Sequence, residues 1–112
     1  MADNAKNTTA TVIPTLRYSD ARAAIEWLCE AFGFEKHLVV PGDGGTIAHA
    51  QLVFGNGMVM LGSAGDDDFS KLQKPPRALG GVGSQSPYII VEDADEHYAR
   101  AVAAGAGIVM NI

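Results

Sequence analysis

The side chains best suited to chemistry lie on two predicted β-strands. His49 and Gln51 are two residues apart on one of them, so in an extended chain both point to the same face. Arg17 lies near the end of the other strand. An imidazole can bind a polar ligand or transfer a proton, and a guanidinium can bind a carboxylate through two parallel hydrogen bonds. The alternatives are a structural, hydrogen-bonded His49 and an Arg17 that pairs with an acid such as Asp20.

The other reactive residues give weaker signals. Cys29 falls on the apolar stripe of a predicted helix, where a buried thiol has a raised pKa and is inert. The acidic run 66–68 lacks the spaced ligands of a calcium loop and is predicted to be solvated, and the glycine-rich run 80–83 does not lead from a strand into a helix. His37 and His97 are predicted to face solvent.

The elements that must position these residues have the order β-α-β-β-β. Asp20 is a helix N-cap signal, apolar residues follow at helical spacing, and Gly33 is a helix stop. The predicted strands are 10–18, 34–40, 46–54 and 58–63. Residues 10–64 therefore form a first unit.

A second, shorter unit follows the linker 65–85. Residues 12–21 resemble residues 85–94, each a β-rich run around a proline that ends at a capping aspartate. The second unit, 86–112, is predicted to contain a strand over 87–92, a helix capped by Asp93 and a strand that begins at Ile108. Its remaining strands have no counterpart before the last residue, so we expect a fragment or a chain that another chain completes.

Composition excludes several classes of protein. The chain has 112 residues and a net charge of −5, which argues against binding to nucleic acid or to anionic membranes. It has one cysteine, so an internal disulfide is excluded, and it has no apolar run of the length that spans a membrane. Residues 1–9 are predicted to be a disordered tail without a signal-peptide core. These features predict a cytoplasmic protein.

The sequence resembles the vicinal oxygen chelate superfamily, in its glyoxalase, bleomycin resistance protein and dioxygenase group. The segments that carry the resemblance are 13–18 (IPTLRY), 23–28 (AAIEWL), 31–34 (AFGF) and 49–52 (HAQL). The resemblance implies an α+β fold in which paired β-α-β-β-β units form a cup-shaped mixed sheet, with the second unit incomplete in this chain.

The resemblance also implies a metal site with two ligands from each unit. Carried over to this sequence, these positions fall on Ile13 and Gln51, on Ser86 or Pro87, and beyond Ile112. Ile13 has no donor atom, and an amide is a weaker donor than the carboxylate usual at the second position. Neither Ser86 nor Pro87 is a good ligand. We therefore predict no bound metal and no other cofactor.

The same resemblance implies a ligand site inside the cup. It assigns Arg17, as an anchor for a carboxylate, together with His49 and Gln51. Tyr88 either lines the cup or packs under the second helix. Trp27 lies off the main apolar stripe of its helix and either packs at the edge of the core or contacts a partner subunit.

Three functions are compatible with these residues. The first is metal-independent binding or sequestration of a small molecule by a homodimer, in a cup between the two units. The second is a metal-dependent lyase or dioxygenase of the glyoxalase type. The third is a structural or regulatory domain without catalysis. Fold alone does not decide among them, and the sequence assigns no catalytic residue.

Overall fold

The computed structural model describes residues 10–110 of the chain. The predicted disordered tail, residues 1–9, lies outside the described residues. The elements are the strands β1 (Thr15–Tyr18), β2 (Glu35–Pro41), β3 (Ile47–Phe54) and β4 (Gly57–Ser63), the helices α1 (Ala21–Phe32) and α2 (Ala94–Ala103), and short 3₁₀ turns at Asp43–Gly45, Phe69–Lys71 and Pro76–Leu79. No helix among residues 10–110 has the length and apolar character needed to cross a membrane.

The four strands form one mixed sheet in the order β1-β4-β3-β2. β1 runs parallel to β4, and the other two pairs are antiparallel. A parallel pair needs a long crossover, and here α1 and the strands β2 and β3 lie between β1 and β4 in the chain. The predicted α+β fold and the order β-α-β-β-β in the first unit are confirmed.

Helix α1 begins and ends at the predicted signals. The Asp20 side chain accepts a hydrogen bond from the Ala23 amide at 3.0 Å, and Gly33 ends the helix with φ of +83°, a conformation that glycine adopts without strain. The helix packs its apolar stripe on one face of the sheet. The main buried residues of this core are Ala21, Ile25, Leu28, Phe34, Ile47, Ala50, Leu52, Val59 and Leu61.

Helix α2 packs on the C-terminal half of α1. Arg100 donates from Nε to the Glu30 carbonyl at 2.8 Å and from Nη2 to the Cys29 carbonyl at 3.1 Å. A cation at this end of a helix also interacts favourably with the helix dipole. Trp27 donates from Nε1 to the Ala104 carbonyl at 2.7 Å, so it packs at the edge of the core. These contacts join the two units through their helices.

A bulge in β3 changes the face on which Ile47 lies. Val40 is paired with His49 but Pro41 with Ile47, so β3 has one extra residue, Ala48, at this point. Because the bulge shifts the alternation, Ile47 is buried in the core beneath α1. Strict alternation along β3 would place Ile47 on the face of His49 and Gln51, so the bulge is what moves it to the other face.

The predicted strands of the second unit do not form among the described residues. Residues 87–92 have no β-ladder partner, and neither do residues 108–110. A β-strand is stabilised by pairing across the ladder, and local β propensity does not replace a missing partner. β1 is also shorter than the predicted strand 10–18, since β4 pairs only with Thr15–Tyr18.

Candidate functional site

A cavity of about 220 Å³ lies over the sheet face opposite α1. We call it the sheet cavity. It is lined by Thr15, Leu16, Arg17, Ala48, His49, Met60, Leu61, Gly62 and Phe69. The structure thus brings together Arg17 and His49, two of the predicted ligand-binding residues, from strands that are separated by β4.

A glycine on β4 determines where the guanidinium of Arg17 lies. Gly62 is the ladder partner of Arg17, and a Cβ atom added there would come within 3.0 Å of Arg17 Nη1 and 3.2 Å of the Ala48 carbonyl. The guanidinium therefore lies over Gly62, in the space that a side chain would fill. Nη1 donates to the Ser63 carbonyl at 3.2 Å. The alternative partner, Asp20, instead caps α1.

Phe69 covers the guanidinium from the linker side. The Cζ atom of Arg17 lies 5.1 Å from the centroid of the Phe69 ring, within the range of a cation–π interaction. Sequence analysis did not identify Phe69, because the contact joins residues that are far apart in the chain. The sequence offers no local signal for it.

Asp67 holds the turn that carries Phe69. Its Oδ1 atom accepts hydrogen bonds from the Ser70 hydroxyl at 2.6 Å and the Ser70 amide at 2.9 Å. These bonds, helped by the charge of Arg17, hold the pKa of the Asp67 carboxyl below its usual range. The run 66–68 is exposed as predicted, but Asp67 also has a structural role that the prediction of a solvated run missed.

The Asp67 carboxylate gives a prediction for acid pH. Because its folded-state pKa is lowered, it contributes stability above the unfolded pKa of about 3.9, and this is lost as pH falls through the lower folded value. We expect Asp67→Asn to destabilise the protein near neutral pH and to differ less from wild type at about pH 3. Thermal melts of both proteins at the two pH values measure this. A difference that stays constant or grows in acid would contradict it.

Gln51 is buried between two histidines beside the cavity, and the three residues form what we call the polar row. Gln51 is 2% exposed. Its Oε1 atom lies 2.8 Å from His49 Nε2, and its Nε2 atom lies 3.2 Å from His37 Nδ1. With the amide in this orientation, His49 Nε2 carries a proton and donates, whereas His37 Nδ1 is unprotonated and accepts. In the neutral imidazole, the Nδ1 atom of His49 is then an acceptor.

The position of His37 is a correction to the sequence prediction. Lys36 pairs with Leu52 and Leu38 pairs with Gln51, so His37 is an extra residue in β2 opposite Gln51. It is half-buried and contacts the Gln51 amide, and so it does not simply face solvent as predicted. A bulge is a feature of strand pairing, which residue alternation within one strand does not reveal.

His97 is also more enclosed than predicted. Its ring stacks on Phe32 with centroids 5.6 Å apart, and it meets Phe54 edge-on at 6.2 Å. It is half-buried between the two units.

Cys29 is half-buried on α1. Desolvation is the main cause that raises the pKa of its thiol, and this is the predicted direction. Neither Cys29 nor His97 lines the sheet cavity.

The residues at the metal-ligand positions of the superfamily do not fit a metal. Ile13 and Pro87 carry no side-chain donor atom, and both polar atoms of the Gln51 amide are bonded to imidazoles. Within residues 10–110 no group of three or more His, Cys, Asp and Glu side chains is placed to hold a metal ion. We therefore derive no chemistry through a bound metal.

Tyr88 lies outside the sheet cavity. Its side chain is 93% exposed, and it borders a separate groove of about 330 Å³ at one end of the sheet, near Val12, Phe54 and Met58. Of the four predicted ligand-binding residues, the structure thus groups Arg17, His49 and Gln51 and separates Tyr88 from them.

A four-stranded mixed sheet with a helix on one face and a polar cavity on the other defines a β-α-β-β-β domain with a small concave site. The chain belongs to the glyoxalase/bleomycin resistance protein/dioxygenase superfamily, whose family model matches residues 9–112. A search of curated proteins found no match. Among solved structures, the chain is similar to TioX from Micromonospora sp. ML1, with 32% sequence identity and a TM-score of 0.61 over 89% of this chain and 76% of that chain.

Proposed function

We propose that this protein binds a small molecule in the sheet cavity without the help of a metal. The observation that carries the proposal is the guanidinium of Arg17, which lies in the space over Gly62 and lines the cavity together with His49. A guanidinium has five N–H donors, and the Ser63 carbonyl accepts from one of its nitrogens. The others are suited to an oxyanion such as a carboxylate.

The polar row gives the cavity a second kind of group. Because Gln51 accepts the Nε2–H of His49, the neutral form of this imidazole offers Nδ1 as an acceptor. Phe69 adds an aromatic surface next to the guanidinium. Together these groups favour a ligand with a carboxylate, a neighbouring hydroxyl or amine, and an apolar ring.

A second copy of the chain would complete the site in this proposal. The cavity of about 220 Å³ is smaller than the 300–1,000 Å³ usual for drug-sized ligands, and Tyr88 and Ile90 expose apolar surface in the separate groove at one end of the sheet. We therefore expect a homodimer. Sedimentation velocity over a concentration series measures this, and a monomer at every concentration would contradict it.

Mandelate is a suitable probe because it carries a carboxylate, an adjacent hydroxyl and a phenyl ring. We expect it to shift the NMR amide signals of Gly62 and Ser63, and to do so in the presence of a chelator. Arg17→Met should weaken binding about tenfold or more, since hydrogen bonds to charged groups contribute about 1.5–3 kcal/mol. The matched control is Arg22→Met, because Arg22 is exposed on α1 and reaches the Gly45 carbonyl instead.

Two outcomes would favour the other functions. Binding that is lost with the chelator and restored by nickel or zinc would support a metal-dependent lyase or dioxygenase. Absence of any shift at Gly62 and Ser63 would favour a structural or regulatory domain, whose cavity serves only to accommodate Arg17.

A further inference from the structure

A larger groove lies on the opposite side of the sheet from the sheet cavity. It has a volume of about 770 Å³ and runs between the first half of α1 and the linker segment 75–81. We call it the helix groove. Ala23, Ala24 and Trp27 line it from α1, and Pro75 and Pro76 line it from the linker. Its volume is within the range of about 300–1,000 Å³ that holds drug-sized ligands.

The walls of the helix groove are flat and largely apolar. The only polar atom of the Trp27 side chain, Nε1, already donates to the Ala104 carbonyl at 2.7 Å, so the indole needs no polar partner in the groove. Tyr18 adds a second aromatic ring. Burial raises the pKa of its hydroxyl, which therefore stays a neutral hydrogen-bond donor. Indole, phenol and proline rings together suit a planar aromatic molecule.

The charges at the rim favour an anionic substituent. Arg77 is exposed at the rim and forms no ion pair with any of residues 10–110. The acid at the rim, Asp20, already accepts the Ala23 amide at the N-terminus of α1, where the helix dipole is positive. Asp20 is thus engaged by the helix end, and Arg77 is the charged side chain at the rim that is available to an anion.

We propose that the helix groove binds a planar aromatic molecule with an anionic substituent, at a site separate from the sheet cavity. The aromatic part lies against Trp27 and the prolines, and the anion lies at Arg77. This site does not depend on the proposed function of the sheet cavity, from which the sheet itself separates it.

The protein contains its own reporter for this site, because Trp27 is its only tryptophan. The probe is 8-anilinonaphthalene-1-sulfonate, whose planar naphthalene ring carries a sulfonate and which accepts excitation energy from an indole. We expect dye emission on selective excitation of Trp27. Arg77→Met should raise the Kd about tenfold, as the loss of one charge-assisted hydrogen bond predicts. Ala24→Leu should abolish binding by filling the groove.

Two control variants test whether the dye binds in the helix groove and not elsewhere. Arg17→Met removes the cation of the sheet cavity and should leave the dye affinity unchanged, and Arg22→Met removes a cation from α1 without touching the groove. The proposal is overturned if wild type gives no sensitised emission. It is also overturned if neither Arg77→Met nor Ala24→Leu weakens binding, or if Arg17→Met weakens it. Loss of the near-ultraviolet circular dichroism of wild type on dye binding would overturn it too, because that would indicate a loosened chain.

Discussion

Gln51→Met is expected to lower the free energy of unfolding by about 1–3 kcal/mol, because it removes two hydrogen bonds to half-buried imidazoles and each such bond contributes about 0.5–1.5 kcal/mol. Methionine has a similar length and apolar volume, so the change removes the amide without opening a large cavity. Gln51 is almost fully buried and contacts both His37 and His49. Urea denaturation of the two proteins measures the difference.

Two further variants distinguish the loss of the hydrogen bonds in the polar row from the general effect of introducing a methionine. Gln85→Met makes the same change on an exposed residue and should alter stability by no more than about 0.5 kcal/mol. Gln51→Glu keeps an acceptor for His49 but loses the amide donor to His37 and buries a carboxyl group, so its stability should also fall below that of wild type. A Gln51→Met protein as stable as wild type would show that the histidines do not depend on the amide.

Leu52→Ala is expected to have an effect at least as large, a loss of about 2–5 kcal/mol in the free energy of unfolding. Leu52 is 0% exposed and lies at the centre of the sheet, paired with Lys36 on β2 and Val59 on β4. Neighbours on both sides are fixed by the β-ladder, so the space left by the removed atoms cannot close easily.

The matched control for Leu52→Ala is the same substitution at Leu72. Leu72 is 85% exposed, so Leu72→Ala removes little buried surface and should change stability by no more than about 0.5 kcal/mol. Equal effects of the two substitutions on the urea midpoint would mean that the sheet does not form the core. This includes the outcome in which both substitutions change the urea midpoint only slightly.

The first unit could be predicted from the sequence because its signals are local. The apolar alternation of β3 and β4, the capping Asp20 and the stop at Gly33 each depend on residues a few positions apart. The face opposite α1 follows from the same alternation, so Arg17, His49 and Gln51 could be assigned to it. For these residues, pattern and structure agree.

The parts that could not be predicted depend on how strands pair. The bulges at His37 and Ala48 move side chains to new positions, and they exist only in the registers of β2 with β3. Phe69 reaches Arg17 across more than fifty residues of chain, without any sequence pattern. Residues 87–92 have a strand-like composition, but no strand is beside them to pair with.

The hydrogen bonds of Arg100 to the end of α1 have a consequence for the order in which the chain folds during synthesis. The bond to the Glu30 carbonyl joins residues that are 70 positions apart. The last turn of α1 therefore leaves the ribosome long before this side chain, and although the Gly33 amide already bonds the Cys29 carbonyl, the Glu30 carbonyl depends on water until Arg100 arrives. When Arg100 arrives, a loop of that length must close, at an entropic cost that rises only slowly with loop length. The hydrogen bonds at the end of α1 are therefore completed late, after α2 has been synthesised.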